Sequence, residues 1–272
     1  MSLTLGTGLA IYAAVEAGKI DSDSLLGRFL GPTVDYMGNG LANNVDKSVK
    51  NISRIFEYAV DIFVSKPDNG GIVNPRVLRH IINEGAFCED ELTRAYFGGV
   101  LASSRSDDSI DDRSLNFVSL LESMSSYQIR THYIFYTILR NKCKGMGIDF
   151  EDKNWIKKAN IFVPYEEFLT SMNLELPDRS KRDLILPHIF WGLHRLELIS
   201  HFSYPNVSVI RRYYPEADGP GFTLSPTLFG IELYMWVNGY SNIPPFHFID
   251  KDIEFVHSNL LDIPQGAKIF SL

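Results

Sequence analysis

Apolar side chains recur every three or four positions over much of the first half of this chain. Between Pro32 and Lys66 this spacing is kept by Val34, Met37, Leu41, Val45, Ile52, Phe56, Ala59 and Phe63. The pattern predicts an amphipathic helix that ends at the turn sequence "KPDNGG". Three further stretches, "NPRVLRHIINEG", "CEDELTRAYFGGVLASS" and "RSLNFVSLLESM", predict more helices, with Pro75 and the acidic run from Glu89 to Glu91 as start signals. The first half is therefore expected to be helical.

A second periodicity lies at the N-terminus, where small residues recur every fourth position at Gly6, Ala10, Ala14 and Gly18. On a helix these four residues share one face, which another helix backbone can approach closely. This face is a candidate for self-association or for shallow contact with a membrane. Docking onto another helix of the same chain is the simpler interpretation, because soluble monomers rarely expose apolar faces.

The second half begins with patterns that predict three helices, in "SSYQIRTHYIFYTILRNKCKG", "VPYEEFLTSMN" and "DRSKRDLILPHIFWGLHRLELIS". The third of these has an apolar stripe of Leu186, Ile189, Phe190, Leu193 and Leu196. Proline is tolerated near the first turn of a helix and breaks its interior. Because Pro187 follows Leu186, we expect the regular helix to begin around Leu184 to Leu186.

Two short strands around a Pro/Gly turn are predicted in "SVIRRYYPEADGPGFTLS". A helix is predicted to follow, with Ser225 as a candidate N-cap and Pro226 at its first position. Three helices, a two-stranded wing and a closing helix are the order of a winged-helix domain, a relative of helix-turn-helix. We therefore predict a mainly α protein with a helical N-terminal domain (1–125), a winged-helix-like domain with a small β-hairpin wing (126–240) and a C-terminal arm (241–272).

Composition narrows the class of protein. Of the 272 residues 45% are hydrophobic, enough for a folded core, and the net charge is −7. Bulk electrostatic binding of nucleic acid is disfavoured, since it requires clustered Lys and Arg. Cys88 and Cys143 lack CxxC spacing and are typical of a reducing compartment. The sequence has no secretory leader pattern and no apolar run long enough for a stable membrane span, so we expect a cytoplasmic protein.

Four short motifs occur in order between Leu25 and Val237: "LLGRFLGP", "VNPRVLRHIINEGAFCEDELTRAYFGGVLASS", "GLHRLELI" and "FTLSPTLFGIEL". In this order they resemble the Abi-alpha family of bacterial abortive-infection-type proteins, formerly a domain of unknown function. The chain departs from the usual pattern at Glu197, where glycine is common, and at "LSPTLFG", where "LTPLG" is commoner. The resemblance implies a role in bacterial defence against phage, and it carries over no catalytic residue.

Motifs that carry chemistry are sparse. HExxH, GxSxG and Walker patterns do not occur, and the scattered histidines lack the spacing of a zinc pair, so no catalytic residue, metal or cofactor is expected. If the winged helix binds nucleic acid or a protein, its third helix and wing are expected to supply the contacts. The candidate residues there are Lys181, Arg182, Trp191, His194, Arg195, Arg211 and Arg212.

Three functions agree with these patterns. The leading hypothesis is a non-enzymatic defence protein that acts through contacts with a protein partner or through self-assembly. The first alternative is a winged-helix DNA-binding sensor or regulator, which is disfavoured by Glu197, Glu216 and Asp218 among the basic candidates. The second alternative is a membrane-acting toxin that exposes its N-terminal helix of small residues.

Overall fold

A computed structural model describes residues 46–66, 71–107, 111–146, 152, 159–174, 179–204, 206–215, 217–257 and 259–270. The predicted helix-packing residues Gly6, Ala10, Ala14 and Gly18 lie outside these residues. The apolar positions predicted before Asp46 lie outside them as well.

The chain divides into two compact units. The N-terminal unit comprises Met1–Ser123 and Trp236–Ser241, and the C-terminal unit comprises Met124–Met235 and Asn242–Leu272. In the first unit the described residues form helices and a two-stranded antiparallel sheet, and in the second they form helices and a four-stranded antiparallel sheet. The prediction of a mainly helical fold with a small amount of β-structure is confirmed.

The described elements of the N-terminal unit follow the predicted helices closely. Asn74 caps α2 by accepting a hydrogen bond from the main-chain nitrogen of Arg76, and Asp90 caps α3 by accepting one from that of Thr93. These caps satisfy main-chain donors that a helix start leaves open. The elements are α1 (Asp46–Val64), β1 (Ile72–Val73), α2 (Pro75–Gly85), α3 (Glu91–Ser103), β2 (Arg105–Ser106) and α4 (Ser114–Ser123).

The core of the N-terminal unit lies where α1 packs against α3. The predicted apolar stripe of α1 is buried at Ile52, Phe56, Ala59 and Phe63. On α3, Gly99 lies directly against the main chain of Val237, so that a Cβ at this position would overlap the Val237 carbonyl oxygen. One turn further on, Ser103 Oγ donates a hydrogen bond of 2.6 Å to the Trp236 carbonyl oxygen.

In the C-terminal unit, α5 begins with a capping box in which Ser125 and Gln128 each bond the other's main-chain nitrogen. The predicted end of this helix before Gly145 is confirmed, and so is the short helix that follows Pro164. The elements are α5 (Ser126–Cys143), β3 (Asn160–Pro164), α6 (Tyr165–Ser171), α7 (Arg179–Arg195), β4 (Ile199–Ser203), α8 (Val207–Tyr213), β5 (Gly221–Pro226), α9 (Leu228–Val237), a 3-10 helix (Pro245–Ile249) and β6 (Lys268–Phe270). The last two residues of α9, Trp236 and Val237, belong to the N-terminal unit.

The four-stranded sheet has the order β4-β5-β3-β6, and every neighbouring pair is antiparallel. Side chains along a strand alternate between its two faces. On one face, Phe222 packs against Phe168 and Phe190, with ring centroids 4.4 and 5.3 Å away. On the other face, Phe162 packs against Ile210 of α8 and against Ala217.

Tyr136 joins three segments of the C-terminal core. Its hydroxyl donates to the Leu198 carbonyl oxygen at 2.5 Å and accepts a bond of 3.1 Å from the main-chain nitrogen of Thr227. Gly230 faces this hydroxyl so closely that a Cβ there would overlap it. Beside it, the buried ring of His132 packs at a tilt against the Tyr136 ring, with centroids 4.4 Å apart, and its Nε2 lies 3.0 Å from the Gly230 carbonyl oxygen.

Three sequence-based predictions were wrong in the C-terminal unit. Ser225 and Pro226 do not start a helix, because both belong to β5, and Thr227 Oγ1 caps α9 by accepting a bond of 2.9 Å from the Gly230 nitrogen.

The other two predictions concern the wing and α7. The first predicted strand of the wing is helix α8, because Asn206 caps it through the Ser208 main-chain nitrogen and Ile210 gains buried contacts on the sheet. The regular part of α7 begins at Arg179, so Pro187 lies in its interior. Burial of Leu186 and Ile189 on either side of the proline favours continuation of the helix, at the loss of one main-chain bond.

Candidate partner-binding face

Helix α7 is fixed by its inner face. Leu186, Ile189, Phe190 and Leu193 are all at most 2% exposed, as the sequence pattern predicts. The Phe190 ring stacks on Phe222 of the sheet, which holds the middle of the helix at a fixed height above β5. An amphipathic helix bound in this way presents its opposite face outward.

Gln128 attaches α7 to the start of α5. Its Oε1 accepts the hydrogen bond of the capping box from Ser125, and its Nε2 donates to the His188 carbonyl oxygen at 3.2 Å. His188 Nε2 lies 3.0 Å from the Ser125 hydroxyl in addition. The turn of α7 around His188 is therefore held by two polar contacts to the N-terminus of α5.

The outward face of α7 forms a continuous stripe. Positions three and four residues apart along a helix lie on one side of it, and the exposed residues of α7 include such a series. Leu184 is 75% exposed and Trp191 is 61% exposed, which is unusual for side chains of this size. We call this series the outer stripe, and it consists of Lys181, Leu184, His188, Trp191 and Arg195.

Trp191 is supported from the side. Its indole meets the Phe202 ring of β4 edge-on, with centroids 5.0 Å apart, and His194 approaches both rings at 6.0 Å. These contacts hold one edge of the indole while most of its surface stays open. A rigid aromatic side chain of this kind is the type that dominates protein interfaces, because little conformational entropy is lost when a partner covers it.

The charges of the outer stripe are all of one sign. Lys181 and Arg195 stand at its two ends, and the stripe contains no carboxylate. Asp183 is exposed near the start of α7 but off the stripe, and Glu197 is exposed just beyond the end of the helix. Arg182 is half-buried, and its Nε is enclosed without a hydrogen-bond partner. The stripe thus combines two apolar anchors with two terminal cations.

The structure does not bring every predicted residue into this stripe. His194 is exposed beside Trp191, whereas Arg211 belongs to α8 and donates a 3.0 Å bond from Nε to the Ala217 carbonyl oxygen. The Arg212 side chain lies outside the described part of the chain. Lys181, Trp191 and Arg195 share one face of α7 with Leu184 and His188, which the sequence pattern does not single out as candidates.

Glu197 ends α7 in a strained conformation. Its φ is +59°, in the left-handed region that favours glycine, and it is followed by a hydrogen bond of 3.0 Å from the Leu198 nitrogen to the Leu193 carbonyl. With the bond from the Glu197 nitrogen to the His194 carbonyl, this is the Schellman pattern. Glycine would adopt this left-handed conformation at lower cost than glutamate does.

The described residues offer few groups suited to catalysis. Burial raises the pKa of the Cys88 and Cys143 thiols to about 11, which keeps them protonated and poor as nucleophiles. Burial lowers the pKa of His132 to about 3, so its ring is neutral. Between residues 46 and 270, as far as the structure describes them, no three His, Cys, Asp or Glu side chains gather as metal ligands, and no helix is long and apolar enough to cross a membrane.

Comparison of the chain with protein-family models, with curated proteins and with solved structures gives no match. The resemblance of the four motifs to the Abi-alpha family therefore stays a prediction.

Proposed function

We propose that this chain is a non-enzymatic bacterial defence protein that acts by binding a protein partner on the outer stripe of α7. The observation that carries the binding step is the pair of exposed anchors, Leu184 and Trp191, which share one face of a helix whose opposite face is fixed. The defence role rests on the motif resemblance to abortive-infection-type proteins.

The chemistry of the stripe favours one kind of partner. Lys181 and Arg195 at the ends attract carboxylates, while Leu184 and Trp191 between them offer apolar area. An acidic amphipathic segment, with apolar residues at helical spacing and Asp or Glu on either side, matches this arrangement. Such a segment can belong to another protein or to a second copy of this chain, and a second copy amounts to self-assembly.

The element order supports a winged-helix-like arrangement of the C-terminal unit. Helix α5, strand β3, helices α6 and α7 and strands β4 and β5 follow one another, and β5 lies between β3 and β4 in the sheet. In this interpretation α7 corresponds to the recognition helix, and the connection from 204 to 220, which contains α8, corresponds to the wing. The fourth strand, β6, is an addition.

This element order also favours a second candidate function, a DNA-binding regulator, since Lys181 and Arg195 lie exposed on the corresponding helix. We rank it lower for two reasons. Direct base readout commonly uses Asn, Gln and Arg side chains, and α7 contains neither Asn nor Gln. The net charge of −7 further weakens attraction to phosphates.

The test is a phage challenge of bacteria that express the chain. We expect the wild type to reduce the efficiency of plating of at least one phage in a broad panel, and Trp191→Ala and Leu184→Ser to lose this protection at unchanged protein abundance. Phe87→Ala is the matched control, because Phe87 is 77% exposed in the other unit. Protection that survives both stripe variants contradicts the binding step, and a wild type that protects against no phage contradicts the defence role.

Two measurements on the purified protein separate the alternatives. Sedimentation velocity over a range of concentrations detects self-assembly, which Leu184→Ser should abolish if a second copy occupies the stripe. Retention on duplex DNA that falls steeply with salt and is lost in the double variant Lys181→Glu/Arg195→Glu, but kept in Trp191→Ala, would instead favour the regulator.

A further inference from the structure

We propose that the sheet of the C-terminal unit carries a binding pocket for an uncharged nucleoside, on the face opposite the aromatic core. The proposal is independent of the outer stripe of α7. It rests on a cavity of about 560 Å³ beneath α8, a volume within the range of small-molecule sites, roughly 300–1,000 Å³.

The floor of the cavity is built from two neighbouring rows of the sheet. Between β4 and β5, His201 lies opposite Ser225, and Ser203 lies opposite Thr223. Between β5 and its other neighbour β3, Thr223 lies opposite Phe162. Asn160 completes the first row, where its Oδ1 accepts a hydrogen bond from Ser225 Oγ. Residues two apart on a strand point to the same face, so both rows open to one side.

This face of the sheet is covered at one end and open at the other. At one end Phe162 is covered by Ile210 and Ala217, with Tyr214 packed against them. At the other end the floor consists of small polar side chains, and the space above them is left open as the cavity. Helix α8 contributes Val209 to the wall, and Tyr214 lines the same space. Small residues beneath a covering helix create the volume that larger apolar ones would have filled.

Within the buried floor, the Thr223 hydroxyl is only loosely bonded to the protein. Thr223 and Ser225 are each 3% exposed. The Thr223 hydroxyl donates to the Ser203 carbonyl oxygen at 3.5 Å, the outer limit of a hydrogen bond. Buried hydroxyls cost free energy when they are poorly bonded, so a ligand that bonds Thr223 more closely gains affinity from this site.

The described residues of the pocket lining are electrically neutral. None of them is Lys, Arg, Asp or Glu, and burial raises the pKa of Tyr214 to about 12, which keeps its phenol uncharged. Arg211 Nε donates to the Ala217 carbonyl oxygen, and Lys268 pairs with Asp218. A phosphate in the pocket would lose its hydration without gaining a counter-charge from these lining residues, which favours nucleosides over nucleotides.

The lining also matches a nucleoside in its polar groups. Hydroxyl, amide and imidazole side chains both donate and accept hydrogen bonds, as sugar hydroxyls and base edges require. The aromatic ring of Tyr214 and the apolar side chain of Val209 offer a surface for the flat base, and base–aromatic stacking contributes about 1–3 kcal/mol. Ser203 and Thr223 then lie within the polar part of the pocket, where the sugar or a base edge can reach them.

The test is isothermal titration of the full chain with adenosine, guanosine, cytidine and uridine, and with each 5′-monophosphate. We expect saturable binding of at least one nucleoside, and weaker binding of its monophosphate. Thr223→Val and Ser203→Ala should each weaken binding by about fivefold, the worth of one neutral hydrogen bond. Ser208→Ala is the matched control, because Ser208 is exposed on α8 outside the pocket lining and its loss should leave binding unchanged.

Three results would contradict a nucleoside pocket. The proposal is overturned if none of the four nucleosides binds the wild type at millimolar concentration, if a monophosphate binds more tightly than its nucleoside, or if Thr223→Val binds as well as the wild type. Circular dichroism and the unfolding temperature of each variant show that it is folded. Thr223→Val keeps the shape of the side chain and loses a weak internal bond, so it should remain folded.

Discussion

The indole of Trp191 meets the ring of Phe202 edge-on at 5.0 Å, although 61% of the tryptophan is exposed. This contact spans two elements, since Trp191 lies on α7 and Phe202 on β4. The tryptophan is thus held in one orientation before any partner arrives, which lowers the entropy lost on binding. A side chain with this combination of support and exposure is suited to act as the centre of an interface.

Replacement of Trp191 by alanine should weaken partner binding much more than it lowers the stability of the fold. Because most of the side chain is in solvent, we expect the free energy of unfolding to fall by less than about 1 kcal/mol. Affinity for a partner identified on the outer stripe should fall by at least about 2 kcal/mol, as for a hot-spot residue. Urea unfolding and titration calorimetry measure the two quantities, and Phe87→Ala should change neither by a comparable amount. A loss of stability as large as the loss of affinity would assign Trp191 to the core.

Replacement of Glu197 by glycine should stabilise the protein. Glutamate at φ +59° carries the cost of the left-handed conformation, which glycine avoids. We expect the free energy of unfolding to rise by about 0.5–1 kcal/mol, measured by urea denaturation. Asn173→Gly is the comparison, because Asn173 has a φ of +51° and asparagine tolerates this region better, so its gain should be smaller. Destabilisation by Glu197→Gly would show that the carboxylate makes a contact worth more than the backbone strain.

Replacement of Gly99 by alanine should destabilise the N-terminal unit. Alanine favours the helix by about 1 kcal/mol over glycine, but its Cβ would overlap the Val237 carbonyl oxygen. We expect a net loss of about 2–3 kcal/mol, since main chain must move to make room. The control is Gly219→Ala, where a Cβ has open space and stability should stay the same or rise slightly. Equal unfolding midpoints for the two variants would contradict the close approach.

His132 should make the protein sensitive to acid. In the unfolded chain its pKa is near 6.5, and in the folded protein burial lowers it to about 3. Between these values the unfolded state binds the extra proton, so the free energy of unfolding falls as pH falls, by up to about 1.4 kcal/mol per pH unit. We expect His132→Gln to flatten this slope between pH 6 and pH 4 in urea titrations. An unchanged slope would show that His132 is protonated in the fold or that other groups dominate.

Local signals in the sequence predict much of the helical structure. Pro75, the acidic run from Glu89 to Glu91, and the apolar stripe from Ile52 to Phe63 act within a few residues, and the structure confirms the helices that they predict. Helix α8 could not be predicted in this way. Its sequence is rich in β-branched and aromatic residues, and its helical form depends on a cap at Asn206 and on contacts of Ile210 with a distant strand.

The same limit applies to the sites. Lys181, Trp191 and Arg195 are candidates in the sequence, but Pro187 predicts a helix that begins only around Leu184 to Leu186, so the pattern does not indicate that Leu184 shares a face with them. A helix extended back to Arg179 would have revealed Leu184 on the side opposite the buried stripe. The pocket depends on the register of three strands, in which Ser203 meets Thr223 across the sheet. No local pattern encodes that pairing, although the alternation in "FTLS" shows that Thr223 and Ser225 share a face.

Tyr136 and Gly230 have an evolutionary consequence. A Cβ at position 230 would overlap both the phenol and the Leu198 carbonyl oxygen that the phenol binds, so this position accepts only glycine while the core keeps this arrangement. Descendants that keep the core should therefore keep glycine at 230 even where tyrosine at 136 becomes phenylalanine. An invariant glycine in that alignment column, next to an aromatic residue in the column of Tyr136, would reveal distant relatives after overall similarity has faded.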